Sequence, residues 1–263
     1  MGVEVHEFAV DLSDLQSVRS LTTRLGAWVA QNRHPIDVLL ANAGAQFADA
    51  RGVSAQGIEK TFAVNVVAQH ELLRGVSPSL NPDAHVILMG SSGHRGRRAT
   101  YGLLPSPSRR DPELLATPDL TVYGRTSRAG GTAYSDSKFA LVTLAHEWAE
   151  RIGASRRLNV YDPGLVPGTG LGRSMPAYKV WVWENLMPAM SILPGAATPN
   201  RTAKHAVALA LGDTHATLTG GYVELGRESR AANATFDPGR RRRMWNVTDR
   251  LATSGIAAPQ LPR

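Results

Sequence analysis

The sequence predicts an α/β fold in which a parallel β-sheet is wound with helices on both faces. Three observations predict it. Short apolar runs alternate with longer stretches of helical periodicity along the chain. The runs at 36–44 and 85–93 are continuously apolar, as in strands covered on both faces. These two runs and a later one end in small residues, "NAG", "GSSG" and "DPG". Ligands of open sheets bind there, beyond the carboxyl ends of the strands.

The elements follow in order. Val3, Val5 and Phe8 to Val10 read as a strand. Asp11 or Ser13 then caps a helix, with Leu15, Val18, Leu21, Leu25 and Trp28 at helical spacing. "IDVLLANAG" (36–44) is a buried strand, 55–75 a helix, and "HVILMGSSG" (85–93) a second buried strand. Residues 94–130 are rich in Arg, Pro, Gly and Ser and too long for a simple connection, so they read as an excursion or lid with a function of its own. The next helix, 131–153, buries Phe139, Leu141, Val142 and Ala145, and "LNVYDPG" (158–164) is a third buried strand. Residues 165–199, with Trp181, Trp183, Met187 and Met190, read as an apolar cover over a substrate. A helix at 200–212, a strand at 220–225 and a tail at 226–263 complete the chain. No repeat or composition break divides it, so 1–263 is read as a single domain.

Composition narrows the function classes. With 263 residues, 43% hydrophobic and 19% charged, the chain can bury a sizeable core and is not a disordered one. No apolar stretch approaches the roughly 20 residues of a membrane span, and the opening residues lack the pattern of a signal peptide. The absence of cysteine removes disulfides and thiolate chemistry and suits the cytoplasm. The eight histidines lack ligand spacing, so no metal is expected. The net charge of +7 comes from scattered arginine clusters, among them Arg95, Arg97 and Arg98. No nucleic-acid motif accompanies them; an anionic ligand near 95–128 is the minority reading.

Tyr134 and Lys138 stand four apart on one predicted helix and share a face. A phenol titrates near ~10, and a neighbouring ammonium favours its ionised form, which suits acid–base work on an alcohol or carbonyl. Ser91 and Ser92 end a strand, where a hydroxyl can hold a substrate oxygen. Asn65 lies mid-helix among apolar neighbours, where its amide must be satisfied, either structurally by backbone or in a functional role. Asn42, Ala43 and Gly44 leave room for a flat ligand against the backbone.

In this order, "LLANAG", "FAVNVV", "ILMGSSG", "YSDSK" and "VYDPGLVPGTGL" resemble the short-chain dehydrogenase/reductase family, and its retinol-dehydrogenase or protochlorophyllide-reductase-like branch. The resemblance implies a Rossmann-like sheet and an oxidoreductase using NADP or NAD on a small-molecule substrate. It makes Tyr134 the proton donor, Lys138 the residue that lowers its pKa and holds the nicotinamide ribose, and Ser92 the group that orients the substrate oxygen, with Ser91 the close alternative. Asn65 would hold a relay water. Asp11, Leu12, Asn42, Ala43 and Gly44 would line the adenine-ribose side, and Pro163, Gly164 and Thr169 the nicotinamide.

The family's glycine-rich turn, G-x-x-x-G-x-G after a first strand, is not found ahead of "VDLSDL". The resemblance therefore implies an N-terminally truncated sheet that lacks its first two strands. The run at 3–10 would then pair directly with 37–41, or another chain or a second copy would cover that edge, or the start has been assigned too late. Three functions follow. The first is carbonyl reduction or alcohol oxidation on a hydrophobic or aromatic compound of secondary metabolism. The second is cofactor-independent cyclisation, dehydration or isomerisation by the same Tyr, Lys and Ser. The third is a non-catalytic, partner-binding remnant.

Overall fold

The computed structural model describes residues 4–118, 127–166 and 197–253. Five strands form one sheet in the order β1 (Ile36–Ala41), β2 (Leu80–Met89), β3 (Arg157–Asp162), β4 (Tyr222–Glu224) and β5 (Arg227–Ser229). The first four are parallel, and β5 returns antiparallel to β4 as a hairpin. The connections between the parallel strands carry the helices, as the alternation in the sequence requires.

The layers follow from β2, whose alternate residues face opposite ways. Val86 and Leu88 join the larger core, built with α1 (Leu15–Asn32), α2 (60–76), α4 (Ser127–Arg151) and α6 (Pro238–Thr253). Ile87 joins Tyr161 and Val223 in a smaller core covered by α5 (Pro199–Leu211). A short helix, α3 (Pro112–Ala116), lies within the 94–130 excursion and is capped by Asp111. No helix among the described residues is long and apolar enough to cross a membrane.

The structure corrects the sequence reading at several places. Residues 4–10 form no strand, and Val5 is 73% exposed. With no neighbouring strand to complete its hydrogen bonds, that run stays irregular. It does not pair with β1, whose outer edge meets no strand among the described residues and whose Leu40 is exposed. The helix read from 55 begins at Lys60, because a Val53–Glu59 bridge and a turn at Gly57 (φ 72°) occupy the preceding residues. Helix α4 begins at Ser127, four residues before the reading. No element was assigned within 226–263, yet β5 and α6 form there. The apolar cover at 165–199 lies almost wholly outside the described residues.

Candidate active site

The site gathers at the carboxyl end of the sheet, between β2, α2 and α4. Helix α2 consists of a turn Lys60–Phe62, a π-helical segment Ala63–Val67 and the α-helix Ala68–Val76. A π-segment inserts an extra residue and re-aims the side chains around it, and such segments concentrate at functional sites. Here the side chain re-aimed is Asn65. Its Oδ1 accepts from the Ala45 amide at 2.8 Å. Its Nδ2 donates to the Ala45 carbonyl at 2.8 Å and to Ser137 Oγ at 2.9 Å. Ser137 Oγ in turn donates to the Tyr134 carbonyl at 2.8 Å. Asn65 thus fastens the irregular stretch after β1 to the turn of α4 that carries Tyr134 and Lys138. Both side-chain polar atoms of Asn65 have partners, two of them backbone groups of Ala45.

Lys138 is buried, and its ammonium donates to the Met89 carbonyl at 2.8 Å. Burial lowers its pKa to about 8, against the nearby Asp162 carboxylate, which raises it. Tyr134 is buried too, and burial pushes its phenol up to about 12. The hydroxyl facing the phenol is that of Ser91, which favours ionisation, while Asp162 opposes it. Ser92 opens the turn Ser92–Arg95, which Ser91 caps by accepting from the Gly93 amide. The close alternative, Ser91, therefore stands at the position assigned to Ser92. The Lys138 Nζ lies over the face of the Tyr134 ring, 5.7 Å from the centroid. As it stands Tyr134 is a neutral phenol, the protonation state of a donor.

Asp162 is the group the sequence reading missed. It is buried, accepts from Tyr222 at 2.6 Å and from the Gly164 amide at 2.9 Å, and burial raises its pKa. Gly90 makes room for this pair: a Cβ there would meet Val160 at 2.6 Å and the Tyr222 hydroxyl at 3.4 Å. Tyr222 packs beneath Arg95, whose guanidinium forms a 2.6 Å ion pair with Glu224. The aspartate within "YDPG" was legible as a buried acid at a strand end, which requires partners.

The predicted cofactor residues fall into two groups. Gly44 belongs to the site: a Cβ there would lie 3.2 Å from Asn65 Oδ1 and 3.3 Å from Lys138 Nζ. Asn42 and Ala43 are exposed at the end of β1, and the Ala43 carbonyl accepts from Gln69 at 3.0 Å. Gln69 Oε1 is buried without a partner, an acceptor held beside this turn. Pro163 and Gly164 follow Asp162, with Gly164 at φ 70°. Thr169 lies outside the described residues. Asp11 and Leu12 are not brought to the site by any described contact. The Asp11 carboxylate is exposed and accepts from the Ser13 amide and hydroxyl, which lower its pKa; Leu12 packs against the larger core.

A nicotinamide dinucleotide fits this surface in part. Lys138, the Gly44 backbone and the unpaired Gln69 oxygen suit a hydroxylated ribose beside the phenol. The pyrophosphate finds no cradle among the described residues. The first turn of α1 is held by the Asp14 carboxylate, and that of α2 by Glu59, so anions already take those amides.

A mostly parallel sheet with a phenol, an amine, a hydroxyl and an amide at its carboxyl edge defines a Rossmann-like α/β protein with a candidate acid–base site. Residues 1–101 match the family model described as short chain dehydrogenase. A short-chain dehydrogenase/reductase of Pestalotiopsis microspora is 28% identical over 197 residues, 74% of this chain and 60% of that protein. A probable oxidoreductase of Streptomyces lividans is 29% identical over 235 residues, 86% of this chain and 69% of its own length. A blue fluorescent protein from a metagenomic library, solved in complex with NADPH, shares the fold at TM-score 0.54 and 23% identity over 81% of this chain and 71% of that one. Over these stretches the chain is similar to short-chain dehydrogenase/reductase proteins. It spans 60% of the length of the Pestalotiopsis relative.

Proposed function

We propose that this chain carries the catalytic part of an NADP- or NAD-dependent oxidoreductase that interconverts a carbonyl and an alcohol on a hydrophobic or aromatic substrate, within the retinol-dehydrogenase-like branch. The observation that carries the reading is the neutral Tyr134 phenol beside the Ser91 hydroxyl, with Lys138 buried against its ring. The nicotinamide, when bound, supplies or accepts the hydride. The chain's residues handle the proton. Ser91 holds the substrate oxygen, and Tyr134 donates its proton to that oxygen as negative charge develops there. Lys138, positively charged below pH 8, stabilises the phenolate left behind. Asn65 keeps the "NAG" turn against α4 so that these groups stay in register.

The test is purified protein with NADPH or NADH and a panel of aromatic and aliphatic ketones and aldehydes. Oxidation of the nucleotide with a carbonyl compound is expected, lost in Tyr134→Phe while nucleotide binding persists. Absence of nucleotide binding and of turnover across the panel overturns the reading. A second reading, proton transfer without a cofactor, draws on the carboxylates that hold the first turns of α1 and α2. Tyr134-dependent cyclisation, dehydration or isomerisation by nucleotide-free protein supports it.

A further inference from the structure

The loop 96–106 is built more tightly than a surface excursion needs. Gly96 takes φ 102°, and a Cβ there would meet Ser106 Oγ at 2.8 Å. Ser106 Oγ accepts from the Arg97 amide at 3.0 Å, and the Gly102 amide donates to the Arg97 carbonyl at 2.9 Å. The loop is then clipped to the two elements that carry the acid–base groups. Ser135, next to Tyr134, donates to the Pro105 carbonyl at 2.7 Å. Leu104 packs over Gly93, two residues from Ser91, where a Cβ would come within 3.1 Å of it. A compact loop whose ends are fixed in this way presents side chains at defined positions.

What it presents is positive charge. Arg95, Arg97, Arg98, Tyr101, Gly102 and Ser106 line an open concavity of about 520 Å³. Arg95 is neutralised by Glu224. Arg97 and Arg98 are exposed, and no carboxylate among the described residues pairs with either. Other arginines of the chain do find partners: Arg241 has Glu147 and Glu150, and Arg243 has Asp111 and Glu113. Tyr101 adds a phenol that is 70% exposed and sits at φ 51°, a backbone conformation an aromatic residue seldom takes. Two free guanidinium forks beside hydroxyl groups match the geometry of an oxyanion with several acceptor oxygens.

We infer that Arg97 and Arg98, with Tyr101 and Ser106, form a subsite for the anionic group, a carboxylate or a phosphate ester, of the molecule whose carbonyl reaches Tyr134. The inference rests on the oxidoreductase reading and extends it from a hydrophobic or aromatic carbonyl compound to one carrying an acidic group. The loop's attachment beside Ser91 and Tyr134 ties the anion's position to that of the reacting carbonyl.

The experiment has a binding arm and a turnover arm. In the first, phenylglyoxylate, its methyl ester and phenyl phosphate are titrated calorimetrically into the protein without nucleotide. The acid or the phosphate is expected to bind at least about tenfold tighter than the neutral ester. Arg97→Ala/Arg98→Ala is expected to erase that preference and leave the melting temperature and the ester affinity unchanged. Which anion binds tighter separates carboxylate from phosphate. In the second arm, the keto acid and its ester are turned over at saturating NADPH, and the double variant is expected to raise KM for the acid alone. Equal affinity for acid and ester, no anion binding, or anion binding untouched by the double variant overturns the subsite. Arginine-dependent anion binding with no turnover of either compound leaves the subsite standing and counts against the oxidoreductase reading.

Discussion

The two ends of the described sheet are built differently. Around the carboxyl ends of β2, β3 and β4, nearly every polar group is buried and paired: Asn65 with Ala45 and Ser137, Lys138 with Met89, Asp162 with Tyr222. Among the described residues no strand pairs with the outer edge of β1, Leu40 is exposed, and residues 4–10 are irregular, mostly exposed and in contact with α1. Buried polar groups without partners are costly, so a dense paired cluster fixes one geometry. An open edge with exposed neighbours fixes none. The cluster of Asn65, Lys138 and Asp162 is therefore preorganised here; on the proposed reading, the half that would face the adenine and pyrophosphate is not.

The largest effect expected tests the paired end. Tyr134→Phe removes the phenol facing Ser91 and is expected to lower kcat by ~10²–10⁴-fold with the melting temperature nearly unchanged. Steady-state kinetics with thermal unfolding on the same sample checks this. Loss of less than tenfold would mean that another group donates the proton. The pH profile sharpens the same comparison. Lys138 titrates near 8 in the folded protein, so turnover that needs its charge is expected to fall above pH 8, well below the ionisation of Tyr134 near 12. A profile flat to pH 10 would remove Lys138 from the chemistry.

Asn65→Ala comes next and reads stability. It strips partners from the Ala45 amide and carbonyl and from Ser137. Each buried group left unpaired costs ~1–3 kcal/mol, so denaturant unfolding is expected to show a loss of at least ~2 kcal/mol. A change within ~0.5 kcal/mol would mean that the "NAG" turn holds itself in place.

Acid weakens the fold through its buried histidines. His70 accepts the Trp148 indole proton on Nδ1 at 3.0 Å and faces Asp249 through Nε2. His94 faces the Ser91 carbonyl through Nδ1 and accepts from the Ala232 amide on Nε2. Burial lowers both pKa values from 6.5 to about 4. Between those values the unfolded chain binds more protons than the folded one. Stability is complete above pH 6.5 and falls as pH drops toward 4, by up to ~3 kcal/mol for each histidine. Melting temperatures measured from pH 7.5 to 4.5 check this, and a curve level across that range contradicts it.

Much of the paired end was legible in the sequence because its chemistry is local in type. Tyr134 and Lys138 announce themselves by helical spacing, Asn65 by its apolar surroundings, and Gly44 by its place after an apolar run. Ser91 and Ser92 could not be separated from sequence: adjacent residues leave a strand pointing to opposite sides, and which faces α4 depends on where β2 ends. Asp162 was passed over because its partner, Tyr222, lies 60 residues away. Helix α6 was legible in retrospect. Asp237-Pro238 is a start signal, with Asp237 Oδ1 accepting from the Arg240 amide, and Met244, Val247 and Thr248 recur at helical spacing on its buried face. The run at 3–10 misled because strand propensity is a statement about neighbours, and the described chain provides none there.

The smallest expected effect belongs to the open end. Every bond of Asp11 is local: its carboxylate holds Ser13, its amide donates to Ser17 Oγ at 2.9 Å, and its carbonyl accepts from the Asp14 amide at 3.1 Å. These bonds lead the chain into α1 and are exposed, so Asp11→Ala is expected to cost under ~1 kcal/mol. Family resemblance would make the same carboxylate a contact to adenine, and NADPH titration followed by fluorescence separates the two roles. With the β1 edge open and residues 4–10 unpaired, the affinity for NADPH is expected to change by less than about threefold, well under 1 kcal/mol. A tenfold loss would place the adenine against Asp11. The open end would then be ordered by the nucleotide itself, and the contrast between the two ends would hold only in its absence.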